Sequence, residues 1–114
     1  MNGSVVGDTI TKSKVVYKPP KKYKIVIYND DRTTMEYVVT LLVMVFKKGM
    51  SSAIELMLKV HTEGLAIVGV YPQSVAEELM KQATDFKVQY NKEAKKSGED
   101  KPYYAYLKIK MEEE

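Results

Sequence analysis

The sequence predicts an α+β fold, a single-domain β-α-α-β-α-β sandwich with three helices packed on a three-stranded antiparallel sheet. Three observations predict it. Short β-branched and aromatic runs at residues 23–28, 65–71 and 103–111 have strand lengths. Three intervening segments repeat apolar residues at helical spacing. Asn, Asp, Gly, Ser and Pro residues punctuate the boundaries between them. With 114 residues the chain has enough material for one hydrophobic core.

Residues 1–22 lack apolar periodicity and end in Pro19-Pro20 followed by two lysines, so they are expected to form a flexible basic extension ahead of a core domain at 23–114. Tyr23–Tyr28 has strand composition, and Asn29-Asp30-Asp31 directly after it is turn chemistry. Thr33 followed by Glu36 has capping-box spacing. Met35, Val38, Val39, Leu42, Val43 and Phe46 then form one helical stripe, and Lys47-Lys48-Gly49 suits a helix end, which places the first helix at about 34–48. Ser51 or Ser52 is the expected cap of a second helix. Ile54, Met57, Leu58 and His61 make its buried stripe, and Gly64 ends it. Leu65–Tyr71 reads as a buried strand closed by Pro72. Ser74 is the expected cap of a third helix with Val75, Leu79, Ala83, Phe86 and Tyr90 on one face. Lys95–Pro102 is a polar connection, after which Tyr103, Ala105, Leu107, Ile109 and Met111 line one face of the last strand.

Charge and composition narrow the function classes. Residues 1–22 carry five lysines against Asp8, a net of +4, which leaves −1 on residues 23–114 of a chain whose total is +3. A near-neutral core lacks the basic face that phosphate neutralisation needs, so no nucleic-acid partner is expected. A ribosome- or RNA-associated small α+β domain is the alternative, resting on the basic extension alone. Cysteine is absent, which rules out thiol chemistry and thiolate metal sites and suits a reducing compartment. No apolar run approaches the roughly 20 residues of a membrane helix and no secretory signal is evident, so a soluble, cytoplasmic protein without a membrane partner is expected.

One histidine, no Gly-rich phosphate loop and no exposed-serine motif argue against an enzyme, and no catalytic residue, cofactor or metal is expected. Ser51, His61 and Asp30 supply the residue types of a hydrolase triad, but none stands in an activating motif. Taken singly, the Asn29–Asp31 corner is a turn and His61 a core residue. Jointly they offer more. A β-α-α order can return the end of the second helix to the start of the first, so that a carboxamide oxygen, a carboxylate and an imidazole nitrogen converge beside an apolar hollow of Met35, Val38, Met57 and Val60. Such a hollow suits a peptide α-ammonium, whose three N–H donors each need an acceptor on leaving water, followed by an apolar side chain.

The stretches Asn29-Asp30-Asp31, Thr33, Met35-Glu36-Tyr37-Val38, Met57-Leu58, Val60-His61, Gly64, Ala66, Gly69-Val70 and Val75-Ala76-Glu77 resemble the ClpS family, adaptors that deliver N-degron substrates to a Clp ATPase. The resemblance runs from Tyr23 onward. It implies that Asn29, Asp30 and His61 hold the α-amino group, that Asp31 and Thr33 line the entrance, and that Met35, Val38, Met57, Val60 and Tyr103 wall the side-chain pocket. It further implies a gate at Met35 against β-branched first residues, peptides beginning with Leu, Phe, Tyr or Trp as ligands, and the N-terminal domain of a ClpA- or ClpC-type ATPase as partner of a monomeric adaptor. Four positions depart from the family pattern: Arg32 replaces an aromatic, Thr34 a proline, and Ser74 and Leu79 an acidic residue and a lysine that contact the ATPase.

Overall fold

The central strand, β1 (Lys22–Tyr28), alternates its side chains and buries Ile25 and Ile27 on one face. A computed structural model describes residues 19–96 and 107–114, in the order β1, α1 (Met35–Met44), α2 (Met50–Glu63), β2 (Leu65–Pro72), α3 (Gln73–Lys96) and β3 (Lys108–Glu113). Both β2 and β3 pair antiparallel with β1, giving the sheet order β2-β1-β3. The fold is the expected sandwich, with three helices on a three-stranded antiparallel sheet. Of the expected basic extension, Lys22 belongs to β1, and the Lys21 carbonyl accepts the Gln73 N–H at 3.1 Å. Its earlier part lies outside the described residues. Of the expected polar connection Lys95–Pro102, Lys95 and Lys96 instead form the last residues of α3, and residues 97–102 lie outside the described residues.

Helix α1 is shorter than the sequence suggests. Its N-cap is Thr34 rather than Thr33: the Thr34 hydroxyl accepts the Tyr37 N–H at 3.1 Å. Its last residue is Met44, four short of the expected end, because Val45 and Phe46 both turn into the core and force the chain to reverse early. Lys47, not glycine, takes the left-handed conformation there, at φ 58°. Gly49 becomes the N-cap of α2 in place of either serine, with no side-chain cap bond.

Helix α2 faces the core one residue away from the expected stripe. Ala53 and Val60 are buried with Leu56 and Met57 packed beside them, whereas Ile54, Leu58 and His61 are exposed. Two apolar stripes overlap in this segment, and the fully buried Ala53 marks the one that the fold selects. Strand β2 is likewise half-buried rather than buried throughout: Ala66 and Val68 point inward, while Leu65, Ile67 and Val70 lie on the outer face of an edge strand. A bulge shifts its register between the Ile25–Gly69 and Val26–Ile67 pairs. Helix α3 starts at Gln73, before Ser74, and buries Ala76 and Ala83, leaving Val75 outside. Its Phe86 and Tyr90 close on Tyr37 of α1 with ring centroids 5.7 and 4.9 Å away.

These faces meet in one core of Ile25, Ile27, Tyr37, Leu41 and Leu42, with Val60, Ala66, Val68 and Leu107 around them. Each fully buried Ile or Leu there contributes about 1.5–3 kcal/mol of transfer free energy. Burial also pushes the Tyr37 phenol well above its usual titration range.

Candidate functional site

The Asn29–Thr33 turn hangs between two fixed points. The Asn29 N–H donates to the Gly64 carbonyl at 2.8 Å, and the Thr33 N–H donates to the Asp30 carbonyl at 2.9 Å. Gly64 is itself the C-cap of α2, at φ 92°, with its N–H bonded to the Val60 carbonyl. A residue with a Cβ is strained in that conformation, so glycine at the helix end allows both the exit into β2 and the carbonyl that anchors the turn. One backbone bond thus brings the end of α2, and His61 with it, beside the polar corner.

A hollow of about 540 Å³, counting its open mouth, lies between the corner, the start of α1 and the end of α2. Asn29, Asp30, Asp31, Thr33 and His61 supply its polar lining, and Met35, Val38, Met57, Val60 and Leu107 its apolar lining. Nine positions singled out in the sequence therefore border one cavity. His61 reaches it from an exposed position on α2 and not from the buried stripe where the periodicity put it. Tyr103 lies outside the described residues. Leu107 was not singled out for the site, although the alternation of the last strand placed it on the inward face; it is buried at the hollow's floor.

Within the corner, the Asn29 Nδ2 donates to Asp31 Oδ1 at 3.3 Å, which orients the amide. Asp30 is held more firmly. Its Oδ1 accepts the backbone N–H of Arg32 at 2.8 Å and Nε–H at 3.2 Å, and its Oδ2 accepts Nη2–H at 3.0 Å. The side chain of Asp30 is 17% exposed and that of Arg32 is 61% exposed. Hydrogen bonding from the guanidinium, aided by the backbone N–H and the opposite charge, lowers the Asp30 pKa against the raising effect of desolvation. Arg32 thus acts directly on a predicted acceptor, a contact that its position near the entrance did not reveal.

The geometry disfavours hydrolase chemistry. Ser51 and His61 stand ten residues apart on one helix, about 15 Å at 1.5 Å per residue, far beyond a hydrogen bond. The described residues contain no cluster of three metal-ligating side chains. Among them, no helix is long and apolar enough to cross a membrane.

Residues 18–95 match the family model described as ATP-dependent Clp protease adaptor protein ClpS. The chain belongs to the ClpS family. As a ClpS protein it is an N-degron adaptor rather than an enzyme. It is 36% identical over 91 residues to the ATP-dependent Clp protease adapter protein ClpS of Wolinella succinogenes, covering 80% of this chain and 82% of that one. It is 42% identical over 89 residues to ClpS of Parvibaculum lavamentivorans, covering 78% and 81%. Among solved structures, ClpS2 of Agrobacterium tumefaciens bound to L-phenylalaninamide superposes with a TM-score of 0.65 at 33% identity, over 84% of this chain and all of the other.

Proposed function

We propose that this ClpS protein binds the free α-amino group and large apolar first residue of N-degron proteins, Leu, Phe, Tyr or Trp, and hands them to a ClpA- or ClpC-type ATPase for degradation. The observation that carries the reading is the single hollow with hydrogen-bond acceptors on one side and apolar walls on the other. Asn29, Asp30 and an imidazole nitrogen of His61 accept the ammonium protons. Asp31 and Thr33 border the entrance. Met35, Val38, Met57 and Val60 enclose the first side chain, with Leu107 at the far wall. The ligand of the Agrobacterium relative, L-phenylalaninamide, combines the same two groups: a free α-amine and an apolar side chain.

Each ammonium N–H that leaves water without an acceptor costs free energy, and a carboxylate or imidazole acceptor restores the lost bond at charge-assisted strength. The apolar wall adds about 1.5–3 kcal/mol for a fully buried first side chain. Acetylation removes the charge and two of the three donors, and the fit with them. Fluorescence anisotropy with a Phe-initiated peptide and its N-acetylated twin tests the reading: tight binding of the first alone is expected, and equal binding of both would sink it. ATPase docking in the cytosol by a monomeric adaptor is part of the proposal. Ser74 is exposed, but Leu79 packs against the core, so the usual lysine contact must be replaced. Co-purification with the host's Clp ATPases identifies the partner type.

A further inference from the structure

The Asp30–Arg32 pair changes the charge at the mouth of the hollow. Two of the five guanidinium N–H groups and the Arg32 backbone N–H already occupy Asp30. A carboxylate offers about four acceptor positions, so about one remains, on Oδ2, for an incoming ammonium. An ammonium seated there shares Asp30 with a guanidinium that is mostly exposed to solvent. The second residue of the peptide then starts one Cα step, about 3.8 Å, beyond the first. Because the ammonium and the guanidinium share one carboxylate, with Nη2 at 3.0 Å from Oδ2, the second Cα lies at most about 11 Å from the Arg32 charge, close to the Debye length of about 8–10 Å.

We propose that Arg32 is a specificity-determining residue for the second position of the bound peptide, favouring Asp or Glu there over Lys or Arg. The inference rests on the α-amine reading above. Asp31, exposed on the same turn, carries the opposite charge and is bonded to Asn29. With Arg32 in place the Asp30–Arg32 pair is neutral and presents its cationic partner outward. Without Arg32, Asp30 and Asp31 leave the mouth acidic, and the preference reverses.

Peptides beginning Phe-Asp, Phe-Ser and Phe-Lys, otherwise identical, measured by anisotropy at low salt, test the idea. The unaltered protein is expected to bind the Asp peptide about threefold to tenfold more tightly than the Lys peptide, the range of an exposed charge contact at each end. Arg32→Gln should bring that ratio to one or below, and Arg32→Lys should restore part of it. A ratio of one or less in the unaltered protein, or the same ratio in Arg32→Gln, would overturn the proposal. Thermal melts of both variants check folding, and the two ligand controls separate the failures. If the N-acetylated Phe peptide binds as well as the free one, the amine reading itself fails. If binding needs the amine but ignores the second residue, only the role of Arg32 fails.

Discussion

At the scale of single residues, the site depends on a few polar atoms whose loss has different consequences. His61 is exposed and Asp30 lies in a turn, where its carboxylate bonds Arg32, so neither belongs to the hydrophobic core. His61→Ala and Asp30→Ala are expected to lower affinity for a Phe-initiated peptide at least tenfold. By urea denaturation His61→Ala should stay within about 0.5 kcal/mol of the parent, and Asp30→Ala, which loses the bond to the Arg32 N–H, should fall by about 0.5–1.5 kcal/mol while remaining folded. Unfolding of either variant would instead mark a structural role. Arg32 lowers the Asp30 pKa, and the sign of the pH dependence follows. A carboxyl depressed in the folded state contributes stability above its unfolded value and loses it as pH falls through the folded one. Asp30 should therefore stay ionised below the ordinary carboxylate range, and Arg32→Gln should raise its midpoint. Carbon-detected NMR titration reads both. Met35 is half-exposed at the hollow's edge, and Met35→Ala is expected to admit Ile- and Val-initiated peptides, a change that competition anisotropy measures.

At the scale of elements, the two left-handed exits from α1 and α2 have opposite chemistry. Gly64 occupies φ 92° where an added Cβ meets no neighbour, so the cost of Gly64→Ala is conformational: about 1–2 kcal/mol of stability, readable by urea denaturation. The same change disturbs the carbonyl that anchors Asn29, so peptide affinity should fall with it. At the end of α1, Lys47 holds a left-handed conformation without being glycine. Lys47→Gly is expected to stabilise the protein by about 0.5–1 kcal/mol, since the relief of steric strain exceeds the added chain entropy. The helices themselves were legible from periodicity, but their ends were not. Thr33 and Thr34 are both competent caps, and only the turn that consumes Thr33's N–H leaves Thr34 to cap α1. Likewise, Ile54, Leu58 and His61 match helical spacing as well as Ala53, Met57 and Val60 do.

At the scale of the whole molecule, the site is tied to the sheet through both of its sides. The Asn29 N–H is bonded across to Gly64, at the junction of α2 and β2, and β1 leads directly into the turn. Its exchange with solvent should approach the rate set by global unfolding, whereas the Asp31 N–H should exchange quickly; hydrogen exchange by NMR distinguishes them. A ligand that binds only the folded state adds RT ln(1 + [L]/Kd), about 2.7 kcal/mol at a hundredfold excess over Kd. A Phe-initiated peptide should raise the melting temperature accordingly and its acetylated twin should leave it unchanged.

The sequence by itself determined the element order, the antiparallel three-stranded sandwich and the residue types of the site, because alternation, helical spacing and the Asn29-Asp30-Asp31 corner are local patterns. Only the tertiary structure decided which of two overlapping stripes on α2 is buried, since the choice is made by Ala53 packing in the core and not by spacing. That choice leaves His61 on the exposed side of α2, at the hollow's rim. It was also the fold that closed Arg32 onto Asp30, because a contact between two side chains of one turn depends on backbone angles that composition does not specify.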